Sequence, residues 1–140
     1  MNIFETFRDK WIKQKLDVHP PKDEQSILDC FKIFGISASK DLLYLYSTMD
    51  GKDCMDEEYF RLWKLNEVFE ENSSRSEIER TKKYGVLFAD YCVNCWCYRI
   101  NANGEVLIDY FTEGKEPEIR AGSITDFFQL MANSPDEALL

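Results

Sequence analysis

The amino-acid sequence predicts an α+β fold, in which one curved and mainly antiparallel sheet packs against helices that include an N-terminal and a C-terminal helix. Three observations support this prediction: apolar residues with helical spacing before residue 50, extended apolar runs joined by a turn between residues 86 and 111, and a capped helical pattern near the end. A chain of 140 residues buries roughly two thirds of its unfolded surface and needs no metal or disulfide to fold. No repeat or linker interrupts the sequence, so a single domain is expected over residues 1–140.

Two amphipathic helices are predicted in the first 35 residues. The first covers residues 2–15, where Phe4, Phe7 and Trp11 form an apolar stripe, and two prolines lie beyond its end. The second begins at residue 23 or 24 and reaches residue 34, because Gly35 is a favourable C-terminal stop. Each helix is expected to bury one apolar face.

A third helix is predicted to begin after Ser39, whose hydroxyl suits the N-cap position. Its buried face carries Leu42, Leu45 and Tyr46, which recur at helical spacing. The pair Asp50-Gly51 is expected to terminate it, because glycine favours helix ends.

Shorter elements are predicted to follow this helix. Residues 52–58 form an acidic loop, and residues 59–63 a short strand. Residues 65–71 form a fourth helix, which is followed by a polar loop at residues 72–76. No element is predicted between that loop and the sheet.

Three strands are predicted in the second half of the chain. The first covers residues 86–90 and the second residues 92–100, both apolar and extended. A turn at residues 101–104 ends in Asn103-Gly104, a pair that tolerates the positive φ of tight hairpin turns. The third strand returns over residues 105–111.

A final helix is predicted from Ser123, which stands three residues before Asp126 in a capping-box pattern. Phe127, Phe128 and Met131 supply its apolar face. The tail at residues 133–140 contains a proline and acidic residues, so fraying is expected there.

The net charge of −9 argues against nucleic acid as a partner, because phosphate binding requires clustered Lys and Arg. Acidic residues concentrate between residues 41 and 79, where eleven acids face four bases. Two interpretations stay open. The acids form either an ordinary solvated surface or a surface that attracts a basic protein partner.

Five cysteines, and a start without a basic-then-apolar segment, predict free thiols in a reducing, cytoplasmic setting and no membrane span. Cys92 and Cys95 form a CxxC pair that zinc could use together with Cys30, Cys54 or His19. On a regular strand, however, Cys92 and Cys95 point to opposite faces. Packing of the thiols in the core is therefore favoured over zinc binding.

No catalytic constellation is apparent, so the chain is not expected to be an enzyme. His19 is the sole histidine and lies at a helix end without a thiol or orienting group at a suitable spacing. The glycines are isolated and form no phosphate-binding loop. The acidic loop lacks the ligand spacing and central glycine of a calcium-binding loop.

Four stretches of the chain follow one another in a characteristic order. The first is Phe34-Gly35-Ile36-Ser37-Ala38-Ser39-Lys40-Asp41-Leu42, which continues through Tyr44 and Tyr46 to Asp50-Gly51. The others are residues 59–68, residues 86–108 with Asn103-Gly104-Glu105-Val106, and residues 123–131. Together they resemble the SUKH superfamily over most of the chain beyond residue 20. The chain departs from the family pattern at Ala38, where proline is usual, and at Asp50, where Asn is commoner.

The resemblance implies an antiparallel-rich sheet backed by helices. Bacterial members of the superfamily are similar to immunity proteins, which bind and neutralise a cognate toxin, often a nuclease, delivered by a neighbouring cell. This implies a non-catalytic inhibitor without cofactor or metal, which contacts the basic surface of a toxin through an acidic surface. The residues expected on that surface are Asp53, Asp56, Glu57, Glu58, Tyr59, Glu67, Glu70 and Glu71. Other members are regulatory scaffolds, so an interaction module without a toxin partner is the second hypothesis.

Overall fold

The computed structural model describes residues 2–140, within which the chain forms seven helices and five strands. The helices are α1 (Ile3–Lys13), α2 (Glu24–Lys32), α3 (Lys40–Thr48), α4 (Leu65–Ser73), α5 (Ile78–Tyr84), α6 (Ile124–Asn133) and α7 (Pro135–Leu139). The strands are β1 (Phe60–Leu62), β2 (Val86–Tyr91), β3 (Trp96–Ile100), β4 (Val106–Asp109) and β5 (Glu118–Ala121). The predicted α+β class is confirmed.

The five strands form one open antiparallel sheet in the order β1-β2-β3-β4-β5. Because side chains alternate between faces, the register separates two sets of residues. Phe60 and Tyr98 mark the inner face of the sheet, on which α1 and α6 pack. Arg61 pairs with Asp90, and Cys97 with Asp109, on the outer face. Helices α4 and α5 flank that outer face.

Aromatic side chains fill the space between the inner face and the helices. Phe60 is fully buried, with its ring centroid 6.1 Å from that of Phe128 in α6 and 6.2 Å from that of Trp11 in α1. Phe127 packs 5.3 Å from Tyr98. Burying each such side chain contributes about 1.5–3 kcal/mol, so this cluster dominates the core.

The predicted helix caps at Ser39 and Ser123 are confirmed. The Ser39 hydroxyl accepts a hydrogen bond from the backbone N–H of Leu42 at 3.3 Å, and the Ser123 hydroxyl accepts one from Asp126 at 3.0 Å. After α3, Gly51 has φ +69°, and a Cβ there would lie 2.6 Å from the backbone nitrogen of Lys64. Only glycine fits this close approach.

Helix α5 and strand β5 were not predicted. Helix α5 has only Thr81 buried, so the sequence shows no apolar stripe. Buried Asn72 holds this helix in place, since its Oδ1 accepts hydrogen bonds from the Thr81 hydroxyl and from the Leu87 backbone N–H, both at 2.8 Å. Strand β5 is an edge strand with its first two residues, Glu118 and Ile119, exposed, so its sequence resembles a charged loop.

The prediction that residues 92–100 are extended throughout is wrong at its start. Cys92, Val93 and Asn94 have φ of 49°, 57° and 63°, and the backbone N–H of Cys95 bonds to the carbonyl of Tyr91 at 3.0 Å. These residues form a left-handed turn between β2 and β3. It lacks the glycine that normally identifies such a turn in a sequence.

The prediction of a frayed tail is also wrong. Pro135 begins α7, because proline is compatible with the first turn of a helix. Ala138 and Leu139 are buried. The Leu139 carbonyl accepts hydrogen bonds from Trp96 Nε1 and the Tyr98 hydroxyl, each at 2.9 Å, so the tail closes one end of the core.

Candidate protein-binding surface

The acidic loop at residues 53–58 is partly neutralised by nearby bases. Asp53 Oδ1 lies 2.9 Å from His19 Nε2 and 3.1 Å from Lys64 Nζ. Hydrogen bonds from His19 and Lys64 lower the pKa of Asp53. Glu57 pairs with Lys10 at 3.2 Å. The loop is therefore less acidic than its sequence alone indicates.

Asp56 is an interior residue, which corrects its assignment to the binding surface. Its side chain is 2% exposed. Its carboxylate accepts hydrogen bonds from Trp11 Nε1 at 2.9 Å and from the backbone N–H groups of Glu58 at 2.8 Å and Phe60 at 3.1 Å. These contacts fix the loop to α1 and leave Asp56 inaccessible to a partner.

Glu58 and Tyr59 are exposed, as expected of surface contacts. Tyr59 has a positive φ of 66°, and its ring packs edge-on against Tyr91 with centroids 5.9 Å apart. This packing holds an aromatic side chain at the surface beside the turn that precedes β3.

The acids of α4 form a second group. Both Glu67 carboxylate oxygens accept hydrogen bonds from Arg61 at 3.0 Å, so its charge is balanced. Glu70 and Glu71 are exposed, and neither forms a salt bridge within residues 2–140. Lys64 and Arg61 lie between this group and the loop. The predicted acidic surface is thus two patches, and within residues 2–140 its acids without a salt bridge are Glu58 in the loop and Glu70 and Glu71 in the α4 patch.

The outer face of the sheet holds a buried ionic network that the sequence analysis missed. Arg61 and Trp63 Nε1 both donate to Asp90, at 2.8 Å and 2.6 Å. Arg99 is fully buried and donates to Asp109 Oδ2 at 2.8 Å, to the Gly85 carbonyl at 2.9 Å and to Glu77. The available signal was the interruption of apolar strands by Asp90, Arg99 and Asp109.

Arg80 joins the same network from α5, with Nη2 2.8 Å from Asp109. Burial opposes ionisation of Asp109, but hydrogen bonds from Arg80, the Phe111 backbone and Arg99 outweigh it and lower its pKa. Glu77 differs, because burial outweighs Arg99 and raises its pKa. The surroundings therefore stabilise the ionised form of Asp109 more than the ionised form of Glu77.

A cavity of about 230 Å³ lies over this network, between α4, the α4–α5 loop and the ends of β2 and β4. Its floor includes Leu87 and Cys97, and its walls include Trp63, Glu71, Glu77 and Phe111. Phe111 is held at a φ of 56° and is 44% exposed, while its backbone N–H donates to Asp109 at 2.8 Å. Glu71 of α4 and Glu77 of the buried network thus line one concave site.

The cysteines divide into two classes. Cys30 and Cys97 are buried, as predicted, and burial raises the pKa of Cys30 to about 11 and that of Cys97 further. Cys95 is exposed and Cys92 is half-buried, so the prediction of core packing is wrong for these two; Cys54 is exposed in the acidic loop. Among residues 2–140, no group of three or more His, Cys, Asp or Glu side chains could hold a metal ion.

A scan against protein-family models finds no match to this chain, and a search of curated proteins finds none either. Within the described part of the chain, no helix combines the length and apolar character needed to cross a membrane. The fold and the surface define an α+β domain with a concave, acid-lined site on the outer face of its sheet.

Proposed function

We propose that the protein is a non-catalytic immunity protein that binds and neutralises a cognate toxin of the nuclease class through its acidic α4 patch and the neighbouring cavity. The observation that supports this most is the pair of exposed carboxylates of Glu70 and Glu71 beside a cavity that Glu71 and Glu77 line. A nuclease presents a basic surface to its substrate. An acidic inhibitor that covers such a surface excludes the substrate and needs no chemistry of its own.

Electrostatic attraction gives this inhibitor a kinetic advantage. Complementary charge raises association rates by roughly 10 to 10³-fold at low salt. Glu57, Glu58 and Tyr59 extend the proposed contact, while Asp56 is left out because it is buried. The proposed setting is the cytoplasm, where free thiols persist.

The experiment uses the full chain as bait in its native host, with co-purifying proteins identified by mass spectrometry. Recovery of one basic protein that is toxic alone and silenced by this chain is the expected result. Recovery of several housekeeping proteins and no toxin contradicts the proposal and favours a scaffold that recruits cellular partners.

Charge reversal then locates the contact on the recovered toxin. Glu70→Lys with Glu71→Lys is expected to slow association about 10-fold at low salt and less at high salt. The matched control is Asp9→Lys with Glu24→Lys, because these two exposed acids lie on and beside α1, which packs on the opposite side of the sheet. Equal association rates for the two double variants would contradict the assignment of the α4 patch.

A further inference from the structure

The cavity on the outer face is large enough for one amino-acid side chain of a bound protein. Its volume of about 230 Å³ lies below the ~300–1,000 Å³ usual for drug-sized ligands. It opens beside the exposed end of α4, where the proposed partner would lie. A single side chain projecting from a bound protein is therefore a suitable occupant.

The lining combines aromatic rings with carboxylates. Trp63 and Phe111 supply the rings, and Glu71 and Glu77 supply the carboxylates. Cations bind the faces of aromatic rings, and guanidinium groups bind carboxylates through two parallel hydrogen bonds. The carboxylates make this set of groups complementary to a cation, and the rings already attract cations, since Arg61 lies 6.0 Å from the Trp63 ring centroid and Arg80 and Arg99 each lie 5.9 Å from that of Phe111.

The charges around the cavity leave an acidic excess. Three guanidinium groups, those of Arg61, Arg80 and Arg99, face the outer side of the sheet, and each already pairs with a carboxylate. Five carboxylates lie on or beside the same face, those of Glu67, Glu71, Glu77, Asp90 and Asp109. Arg75, in the α4–α5 loop, is exposed and does not line the cavity.

The alternatives to a cation fit less well. An apolar side chain would remove Glu71 from water without a counter-charge, and Glu77 with only Arg99, which it shares with Asp109, so this is unfavourable. An anion would meet the same two carboxylates, and no uncommitted guanidinium lines the cavity. A cation supplies the positive charge that the carboxylates of the lining lack.

We propose that the binding partner inserts an arginine side chain into this cavity, between Trp63 and Phe111, with its guanidinium paired to Glu71 and Glu77. Arginine is favoured over lysine because its planar group both stacks on rings and binds carboxylates bidentately. The inference rests on the proposed function for the identity of the partner, although the cavity's preference for a guanidinium is a property of this chain alone.

The test titrates the full chain with Nα-acetyl-arginine N-methylamide and follows assigned amide and indole resonances by NMR. The matched probe is the citrulline analogue, which has the same shape and no charge. The expected result is saturable shifts at Trp63, Glu71 and Phe111 with a dissociation constant in the ~mM range, and no saturation with citrulline. Equal responses to both probes, or shifts scattered away from the cavity, would overturn the proposal.

Variants sharpen the result without disturbing the fold, because the changed residues are exposed. Glu71→Gln is expected to weaken arginine binding about 10-fold, and Phe111→Ala about 3-fold. Glu70→Gln is the control, since Glu70 is also exposed on α4 but does not line the cavity. Equal affinities for the two Gln variants would also overturn the proposal.

The two proposals fail in different ways. If the recovered toxin binds the wild type and Glu71→Gln equally well, the arginine site is wrong and the immunity function stands. If the arginine analogue binds the cavity but no basic toxin is recovered, the site stands and the function is wrong.

Discussion

The two faces of the sheet are both buried, but different interactions bury them. On the inner face, Phe60 and Tyr98 pack against the aromatic residues of α1 and α6. On the outer face, Asp90, Arg99 and Asp109 are almost completely removed from water as an ionic network. Apolar burial drives folding directly, whereas buried ion pairs seldom improve on apolar residues of similar size. Stability therefore accounts for the inner face, and the outer face calls for a functional explanation.

The largest expected loss of stability comes from removing an aromatic side chain of the inner face. Phe60→Ala is expected to lower the free energy of unfolding by about 4 kcal/mol, because it removes a fully buried ring that packs against four others. Phe69→Ala is the control, since Phe69 is 44% exposed and should cost less than about 1 kcal/mol. Equilibrium unfolding in urea measures both. Similar losses would mean that the aromatic cluster does not dominate the core.

The second prediction tests how much the ionic network of the outer face contributes to the free energy of unfolding. Arg99→Met is expected to cost about 3 kcal/mol, because it leaves Glu77 buried without its partner and Asp109 with Arg80 alone. Adding Glu77→Leu and Asp109→Asn to the same chain should recover more than half of that loss, since the uncompensated charges are then removed. Urea unfolding of the single and triple variants tests this. A triple variant no more stable than the single one would show that the network itself stabilises the fold.

This difference between the faces also explains what the sequence could predict. Residues that pack on the inner face, such as Phe127 and Phe128 of α6, belong to an apolar pattern with helical spacing. Ser39 and Ser123 mark helix starts, so these helices can be predicted from local sequence. The outer face depends on pairs distant in sequence, such as Arg61 with Asp90, whose proximity only the register creates. Charge counting therefore assigned Asp56 to the surface and overlooked the cavity.

The same contrast appears at the level of whole elements. Helix α5 is held by Asn72 rather than by an apolar stripe, and a single polar residue gives no periodic signal. The turn between β3 and β4 was predicted from Asn103-Gly104, whereas the turn from Cys92 to Cys95 has no glycine. Elements fixed by apolar periodicity or by turn residues were found, whereas α5, which a buried polar residue holds, and β5, an exposed edge strand, were not.

The third prediction concerns the one lysine buried beside the inner-face cluster. Lys52 Nζ donates to the Phe60 carbonyl at 2.6 Å and lies 4.2 Å from the Trp11 ring centroid. Burial, opposed by Asp56, lowers the pKa of Lys52 from 10.5 to about 8. Between those two pH values the unfolded chain binds more protons than the folded chain, so stability rises with pH.

The measurement compares wild type with Lys52→Met, because the difference cancels the titration of other groups. From pH 7.5 to 9.5, the free energy of unfolding of the wild type should rise relative to that of the variant by about 2 kcal/mol. Urea unfolding across this range gives the difference directly. A difference independent of pH would mean that Lys52 keeps its ordinary pKa and that its contacts with Trp11 and Asp56 offset its burial.

The smallest expected effect is at the turn between β2 and β3, whose neighbouring residues contact both faces of the sheet. Tyr91, before the turn, stacks on Trp96 of the inner face, and the backbone N–H of Asn94 donates to Asp90 of the outer face at 3.4 Å. Val93 is 75% exposed at φ 57°, a conformation that disfavours β-branched residues. Val93→Gly removes this strain and no buried contact. It is expected to raise the free energy of unfolding by about 0.5–1 kcal/mol.

The control for Val93→Gly is Ala102→Gly, in the turn between β3 and β4, where φ is not positive. Glycine there gives no relief and adds freedom to the unfolded chain, so stability should fall by about 0.5 kcal/mol. Thermal or urea unfolding measures both variants. If Val93→Gly raises the free energy of unfolding and Ala102→Gly lowers it, the backbone strain is specific to the turn between β2 and β3. If both substitutions destabilise, the left-handed turn is not strained, and contacts of Val93 hold it in place.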